Sequence, residues 1–336
     1  MRNSMEHLAA HRILVLGWPV QPQQAWVKNY PFVTADRIYQ EGLPRSQKRW
    51  MNASFHAPQW LHGVEKLNPA HWYGAWREHV AEYDTIIIID EIRGRDVFEY
   101  ILKHNPDCRL CVFYDSPIKS GSKRDPSHYR DLPIHFYTCD RKIAADYGLE
   151  FAPYFYIFSP YDFDEYAKRG ADGQETDVFF LGEEKGDRLK TLAHLRDIFS
   201  QAGIHHDLRL VRKRHGRRYT KEEMAQTTDY MSYGEYIEHM RQSKAILELV
   251  SNGQTGITQR PYEALFFGKK LITTSAEVKK YPFYCPENIL ILNEETLSQK
   301  DELVKFINMP LKPIETNIRE QFQFCAWLER MLGEKG

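Results

Sequence analysis

The part of the sequence that could carry chemistry most directly is residues 245–274, where an apolar run leads into a glycine-containing loop and then a helical pattern starting near Pro261. Gly253 and Gly256 lie in this loop. Glycine permits unusual backbone dihedrals and close approach of a ligand, and the free N–H groups of a helix start attract negative charge. The segment therefore predicts an anion site that suits a diphosphate.

Side chains around this loop add donors, positive charge and an acceptor. Gln254 and Thr258 could donate hydrogen bonds to a phosphate or a sugar, and Arg260 adds a fixed positive charge. Glu263 lies one turn into the predicted helix, where its carboxylate could accept hydrogen bonds from ribose hydroxyls. Gly268 is expected to end the helix. The alternative interpretation is an ordinary strand, loop and helix with a surface glutamate.

Three carboxylates follow predicted strands in the N-terminal half. Asp90 and Glu91 come directly after the apolar run at 85–89, and Asp115 follows the run at 109–114. Open α/β sheets form their ligand crevice at the carboxyl ends of the strands, so one of the three could take the proton of a substrate hydroxyl. Asp90 is slightly favoured. Capping of a helix N-terminus is the alternative role for each of them.

Other groups have a structural explanation that is at least as simple. His56 and His62 are alternative bases, although a lone histidine is usually structural. Cys108 and Cys111 have C-x-x-C spacing but no second pair, so we predict core positions rather than zinc or redox chemistry. The basic run at 212–218 could touch anionic lipid, or simply be a solvated loop. Five aromatic residues could stack a sugar or pack at a domain junction: Tyr154, Phe155, Tyr156, Phe158 and Tyr161.

Strand and helix patterns alternate along the chain, which is typical of doubly wound parallel sheets. In the N-terminal half, strands are predicted at 12–17, 85–89, 109–114 and 134–137, and helices near 35–40, 69–83 and 93–103. In the C-terminal half, strands are predicted at 177–182, 207–211, 244–249, 269–273 and 288–292, and helices at 187–202, 233–242, 261–267 and 294–308. The predicted domains are 1–170, 171–312 and a helical segment, 313–336, that packs toward the first domain.

Composition limits the classes of protein that fit. The 336 residues are 42% apolar and 27% charged with a net charge of -1, so a globular chain of two domains is predicted and no overall field recruits nucleic acid. Five cysteines favour a reducing compartment, so we expect a cytoplasmic protein. The sequence has no signal-peptide pattern and no run of about 18 apolar residues, which leaves at most peripheral membrane contact.

The pattern R-x-x-E-A-L-x-x-G-K-K-L-I-T, which begins at Arg260, resembles bacterial glycosyltransferases of surface-polysaccharide assembly. The matching residues are Arg260, Glu263, Ala264, Leu265, Gly268, Lys269, Lys270, Leu271, Ile272 and Thr273. A second stretch, DVFFLGEEKGDR at 177–188, is similar to the opening strand and loop of the same family's nucleotide-binding domain. Together the two stretches place the resemblance in the C-terminal half.

The resemblance implies a GT-B-like α/β fold, with two Rossmann-like domains facing a central cleft and a C-terminal helix crossing back to the first domain. It implies that Glu263 binds the donor ribose, and that Lys185 or Arg188 neutralises donor phosphates without a divalent metal or other cofactor. The remaining predicted donor contacts are Gln254, Thr255, Gly256, Thr258 and Arg260. Thr255 stands where many retaining members have an acid, so retaining chemistry is not predicted.

The expected activity is transfer of a sugar from a nucleotide-diphosphate sugar to a hydroxyl of a surface glycan, such as capsule, O-antigen or lipopolysaccharide. The glycan acceptor could be lipid-linked. Two alternatives stay open: a nucleotide-sugar epimerase of similar fold, and a non-catalytic nucleotide-sugar-binding scaffold. A nicotinamide-dependent oxidoreductase is disfavoured, because the first strand leads into Gly17-Trp18-Pro19 without a G-x-G-x-x-G turn.

Overall fold

The computed structural model describes residues 6–17, 27–156, 176–212, 218–250 and 255–333. The chain forms two compact units, of which unit 1 is Met1–Ile157 with Phe324–Gly336 and unit 2 is Phe158–Gln323. Each unit contains one six-stranded sheet. The predicted α/β class with two Rossmann-like domains is confirmed. The boundary predicted at residues 170 and 171 lies outside the described residues.

Unit 1 is built on a sheet in which every neighbouring pair of strands is parallel. Its strands are β1 (Ile13–Leu16), β2 (Val33–Asp36), β3 (Thr85–Ile89), β4 (Arg109–Tyr114), β5 (Ile134–Thr138) and β6 (Glu150–Phe151). Its first helices are α1 (Arg45–Ser54), α2 (Asp96–His104) and α3 (Arg141–Tyr147). The strand order is β2-β1-β3-β4-β5-β6, so the chain changes direction across the sheet between β1 and β3. Open α/β sheets bind ligands at such a switch point.

The central strands of unit 1 lie where the sequence predicts them, because a parallel sheet buries both faces of a central strand and requires a continuous apolar run. The whole of β3 is buried. Two predicted helices are wrong. Residues 35–40 begin within β2, and residues 69–83 form three short 3-10 turns instead of one helix.

Gly74 explains the loss of the helix predicted at 69–83. Its backbone is extended, with φ -64° and ψ -177°, and its N–H donates to the carbonyl of Ile38 at 3.0 Å. A Cβ at this position would lie 2.6 Å from the carbonyl oxygen of Arg37. Trp72 and Trp76 are still buried, as their spacing predicts. The apolar stripe is therefore real, but a contact with a distant part of the chain replaces the helix.

Unit 2 has a second all-parallel sheet. Its strands are β7 (Thr176–Glu183), β8 (His206–Val211), β9 (Thr227–Thr228), β10 (Ser243–Glu248), β11 (Lys270–Thr273) and β12 (Ile289–Ile291). Its helices are α4 (Arg188–Gln201), α5 (Lys221–Ala225), α6 (Tyr233–Arg241), α7 (Arg260–Phe267), α8 (Glu294–Ser298), α9 (Lys300–Asn308) and α10 (Thr316–Glu320). The order β12-β11-β10-β7-β8-β9 places the switch point between β7 and β10. The helix predicted at 294–308 is divided at Gln299.

The C-terminal segment leaves unit 2 and completes unit 1. Phe322 packs on aromatic rings of unit 2, with its ring centroid 5.1 Å from that of Phe283. Helix α11 (Phe324–Leu332) belongs to unit 1, where Trp327 lies 5.2 Å from Phe113. The predicted return of a C-terminal helix to the first domain is confirmed, although the helical segment predicted at 313–336 is interrupted between α10 and α11.

Within the described ranges, every helix is too short or too polar to span a bilayer.

Replacing Trp327 by alanine should destabilise unit 1 strongly. The indole is fully buried against Phe113 and Phe155, so truncation leaves a large cavity and should lower the free energy of unfolding by about 3–5 kcal/mol. Trp60→Ala is the matched control, because that indole is 78% exposed and its loss should change stability by about 0.5 kcal/mol or less. Urea unfolding of both variants measures the difference, and equal midpoints would contradict the packing of α11.

Candidate functional site

A cavity of about 520 Å³ lies within unit 2 at the switch point of its sheet. It is lined by the ends of β7 and β8, the start of α4, the first turn of α6 with the residues just before it, and the start of α7. Five predicted donor-binding residues line it: Lys185, Arg188, Thr258, Arg260 and Glu263. Thr255 and Gly256 do not line it, and Gln254, like Gly253, lies outside the described residues.

Two guanidinium groups face this cavity, and backbone carbonyls hold both. Arg188 donates to the carbonyls of Glu183 at 3.0 Å and Leu249 at 2.7 Å, while Arg260 donates to the carbonyl of Leu181. Burial, together with the nearby charge of Arg260, lowers the pKa of Arg188. Carbonyls orient the two guanidinium groups near one another, where both can donate hydrogen bonds to an anion, while Glu248 and Glu263 also lie near them.

Gly182 leaves room for the ring on which one of these arginines rests. A Cβ at Gly182 would lie 2.8 Å from Cζ of Phe180, closer than ordinary contacts allow. The guanidinium carbon of Arg260 lies 5.5 Å from the centre of the Phe180 ring, within cation–π range. A glycine at the end of β7 is therefore part of the support of Arg260.

Glu263 contributes a buried carboxylate to the wall of the cavity. It is 3% exposed, and it accepts hydrogen bonds from the hydroxyls of Tyr233 at 3.0 Å and Tyr236 at 2.5 Å. Burial raises the pKa of Glu263, while Arg260 and the two tyrosines oppose that shift. A carboxylate offers about four lone-pair sites, so the tyrosines fix its orientation and leave acceptor capacity for ligand hydroxyls.

Glu248, at the end of β10, is a second buried carboxylate that sequence reasoning missed. It accepts hydrogen bonds from the hydroxyls of Thr258 and Thr273. Thr258 was predicted to donate to a ligand, but its hydroxyl hydrogen is directed to Glu248, and its oxygen accepts from the N–H of Arg260 at 3.2 Å. The available signal was a charged residue inside the buried strand AILEL, since buried charges are paired.

Lys185 lies at the rim of the cavity. Its side chain is 61% exposed and pairs with Glu183 at 2.9 Å. An exposed pair of this kind contributes little to stability and exchanges partners easily. Lys185 is therefore placed to meet an anion that enters the cavity, whereas Arg188 and Arg260 are held inside it.

In unit 1, the three predicted carboxylates lie at the carboxyl ends of β3 and β4, which are adjacent strands. Asp90 accepts hydrogen bonds from the Ser116 hydroxyl and the Arg124 guanidinium. Its φ is +57°, and among the described residues it is the only non-glycine with positive φ. Such a backbone is costly and tends to occur at functional sites.

Asp115 lies beside Asp90 and is hydrogen-bonded to it. Burial raises the pKa of Asp115 well above its usual range, and both the charge of Asp90 and a hydrogen bond to it act in the same direction. Two adjacent carboxyls cannot both ionise without strong repulsion. Burial and the neighbouring carboxylate therefore favour the protonated form of Asp115, and we do not assign the role of base to it.

Glu91 differs from the other two carboxylates. Its side chain is 30% exposed, and the ion pair with Arg93 is long, at 3.6 Å. Burial raises the pKa of Glu91, partly opposed by Arg93 and Arg37. A raised pKa combined with access to solvent suits a general base better than the tightly bonded Asp90.

The remaining candidates fall elsewhere. Cys108 and Cys111 are buried free thiols of the core, as predicted. His62 lies near the carbonyl of Ala57, at 3.1 Å, and makes no hydrogen bond to the three carboxylates in the described part of the chain, nor does the exposed His56. Phe155 packs in the core of unit 1 with Tyr154 against it, and Tyr156 is buried. Residues 158, 161 and 213–217 are outside the described ranges.

Replacing Asp115 by asparagine should remove a pH dependence of stability. A folded-state pKa above the unfolded value stabilises the fold at low pH, and this contribution is lost as the pH rises through the folded-state pKa. Asparagine does not titrate, and its amide can donate to Asp90. The stability of the variant relative to the wild type should therefore increase as the pH rises. Between the unfolded-state and the folded-state pKa of Asp115, the difference in the free energy of unfolding between the two proteins should change by up to about 1.4 kcal/mol per pH unit.

Urea unfolding at about pH 5 and about pH 9 tests this expectation. Asp107→Asn, at an exposed position of the same unit, is the control and should leave the pH dependence as in the wild type. If the stabilities of Asp115→Asn and the wild type change in parallel with pH, a raised pKa of Asp115 is excluded.

Comparison with known proteins shows the fold and no more. No protein-family profile and no curated protein matches the sequence. The chain is similar to the solved structure of a sucrose-phosphate synthase from Thermosynechococcus elongatus, with a TM-score of 0.51 and 12% identity over 96% of this chain and 97% of that one. It is also similar to a UDP-GlcNAc 2-epimerase from Methanocaldococcus jannaschii, with a TM-score of 0.49 and 11% identity over 96% and 98%. The similarity to the first of these structures, together with the two parallel six-stranded sheets, confirms the predicted GT-B-like class at the level of fold.

Proposed function

We propose that this protein is a glycosyltransferase that binds a nucleotide-diphosphate sugar in the cavity of unit 2 and transfers the sugar to a hydroxyl of a surface glycan. One observation carries the proposal. The same cavity holds Arg188 and Arg260, fixed by backbone carbonyls, and the carboxylate of Glu263, fixed by two tyrosine hydroxyls. A diphosphate requires cationic donors and a ribose requires an acceptor, and this cavity offers both.

In this proposal the donor's diphosphate lies against the two arginines, with Lys185 meeting it at the rim. The bond between the sugar's anomeric carbon and the diphosphate oxygen breaks, and the negative charge that develops on the leaving group is stabilised by the two guanidinium groups. The acceptor oxygen forms the new bond to the anomeric carbon. Groups already oriented before the reaction cost little reorganisation during it.

The acceptor's proton passes to a carboxylate of unit 1, for which we propose Glu91. Its raised pKa brings the carboxylate closer to the pH of the reaction, where general bases work best. Asp90 and Asp115 then have a supporting role, because the hydrogen-bonded pair and Arg124 fix the turn that presents Glu91.

Binding of nucleotides in the absence of metal is the first test. A thermal-shift panel of nucleoside diphosphates and nucleotide sugars should show a selective rise in the unfolding midpoint, since a ligand at about 100 times its Kd adds about 2.7 kcal/mol to stability. No shift with any member of the panel would contradict the donor site.

Product analysis separates this function from its rivals. Incubation of the donor that binds with glycan acceptors should release nucleoside diphosphate and extend the acceptor. Conversion of the sugar nucleotide without any acceptor would identify an epimerase instead. Tight binding without turnover, over a range of acceptors, would identify a non-catalytic scaffold.

Glu263→Gln should weaken donor binding while the fold stays intact. The amide cannot accept hydrogen bonds from ribose as a carboxylate does, so the Kd for the nucleotide sugar should rise about 10- to 100-fold. Stability at neutral pH should be unchanged or higher, because burial disfavours the charged form of Glu263.

Titration calorimetry and thermal unfolding measure the two effects. Glu295→Gln, an exposed change in α8 of the same unit, is the control and should alter neither. An unchanged donor affinity in Glu263→Gln would remove Glu263 from the site.

A further inference from the structure

Helix α1 of unit 1 is attached to the body of the unit at only one end. Of its ten residues only Met51 and Ser54 are buried, and the residues at 44–50 are all exposed. A surface helix normally buries a stripe along its whole length. The first two turns of α1 therefore project from unit 1.

Large apolar side chains are exposed on α1 and on the chain that follows it. Trp50 is 46% exposed, Trp60 is 78% exposed and Val64 is 52% exposed. Among the described residues only six large hydrophobic side chains are exposed, and these three lie within residues 50–64. The chain then returns to pack against α1 at the 3-10 turn Glu65–Leu67. This clustering is the sign of an interaction surface rather than of scattered surface residues.

The charge of the same region has one sign. The chain has 46 acidic residues in 336, yet residues 42–64 contain none. Arg45, Lys48 and Arg49 are exposed on α1 and form no ion pair with any residue that the structure describes. Lys142, another exposed cation of unit 1, has an acidic partner, whereas the exposed Lys103 and Lys119 form no ion pair with a described residue. The positive charge of α1 is thus left for an external partner.

We propose that residues 42–64 form a membrane-docking surface that seats unit 1 on a bilayer containing anionic phospholipid. Tryptophan is the residue that favours the headgroup level of a bilayer, and exposed lysine and arginine are attracted to anionic lipid. Stable peripheral binding takes two signals, and this surface provides both an apolar and a basic one. The surface belongs to unit 1 and shares no residue with the donor cavity of unit 2, so the proposal does not depend on the transferase activity.

Flotation of the full chain with lipid vesicles tests the proposal. The protein should float with phosphatidylcholine vesicles that contain about 30% phosphatidylglycerol, bind pure phosphatidylcholine only weakly, and dissociate at about 1 M salt. Lys48→Gln with Arg49→Gln should reduce the partition coefficient about 25-fold, or about fivefold for each charge removed. Trp60→Ser should also reduce it, and this exposed change should leave the unfolding midpoint unaltered.

The matched control removes two exposed lysines from other places, Lys119→Gln with Lys279→Gln. If it lowers vesicle binding as much as the α1 double variant, attraction is general and the docking surface is excluded. Absence of binding to anionic vesicles also overturns the proposal. Self-association in solution that Trp60→Ser abolishes, without vesicle binding, would assign the surface to a second copy of the chain instead.

Discussion

In both sheets each strand runs parallel to its neighbours, and this constraint decides where polar chemistry can lie. A parallel pair requires the chain to cross over one face of the sheet between strands, so all the carboxyl ends meet at one edge. At this edge, glycines allow contacts that a larger residue would block. Gly17 ends β1 with φ +82°, and a Cβ on it would lie 2.6 Å from the carbonyl oxygen of Ile89. In unit 2, Gly182 likewise allows a close contact, in this case with the ring of Phe180.

The donor cavity concentrates charges that the fold must otherwise avoid burying. Removing ionised groups from water is expensive, and mutual attraction repays this only when hydrogen bonds satisfy the remaining atoms. Here neutral groups do much of that work: carbonyls hold the two arginines, tyrosines hold Glu263 and threonines hold Glu248. Burying these charges lowers stability, but it keeps the guanidinium groups of Arg188 and Arg260 near one another on the wall of the cavity. That is the property a site for a charged ligand needs.

The sequence predicts those features that depend on neighbours in the chain. Strands such as β3 are continuous apolar runs, and Arg260 and Glu263 stand in a recognisable loop-to-helix pattern. Features that depend on distant neighbours were missed. Gly74 turns a helical stripe into 3-10 turns because it pairs with Ile38, and the hydroxyls that fix Glu263 come from a helix about thirty positions earlier. The raised pKa of Asp115 likewise depends on burial and on Asp90, which follows the adjacent strand.

The return of α11 to unit 1 also affects the order in which the protein can fold during synthesis. A ribosome usually releases domains that fold one after another from the N-terminus. Here Trp327 and Leu328 fill the core of unit 1, but all residues of unit 2 must be translated before them. Unit 1 is therefore the first to emerge from the ribosome and the last to complete its fold. Until then the apolar face around Phe113, which α11 covers in the folded protein, is exposed, and chaperones would have to shield it.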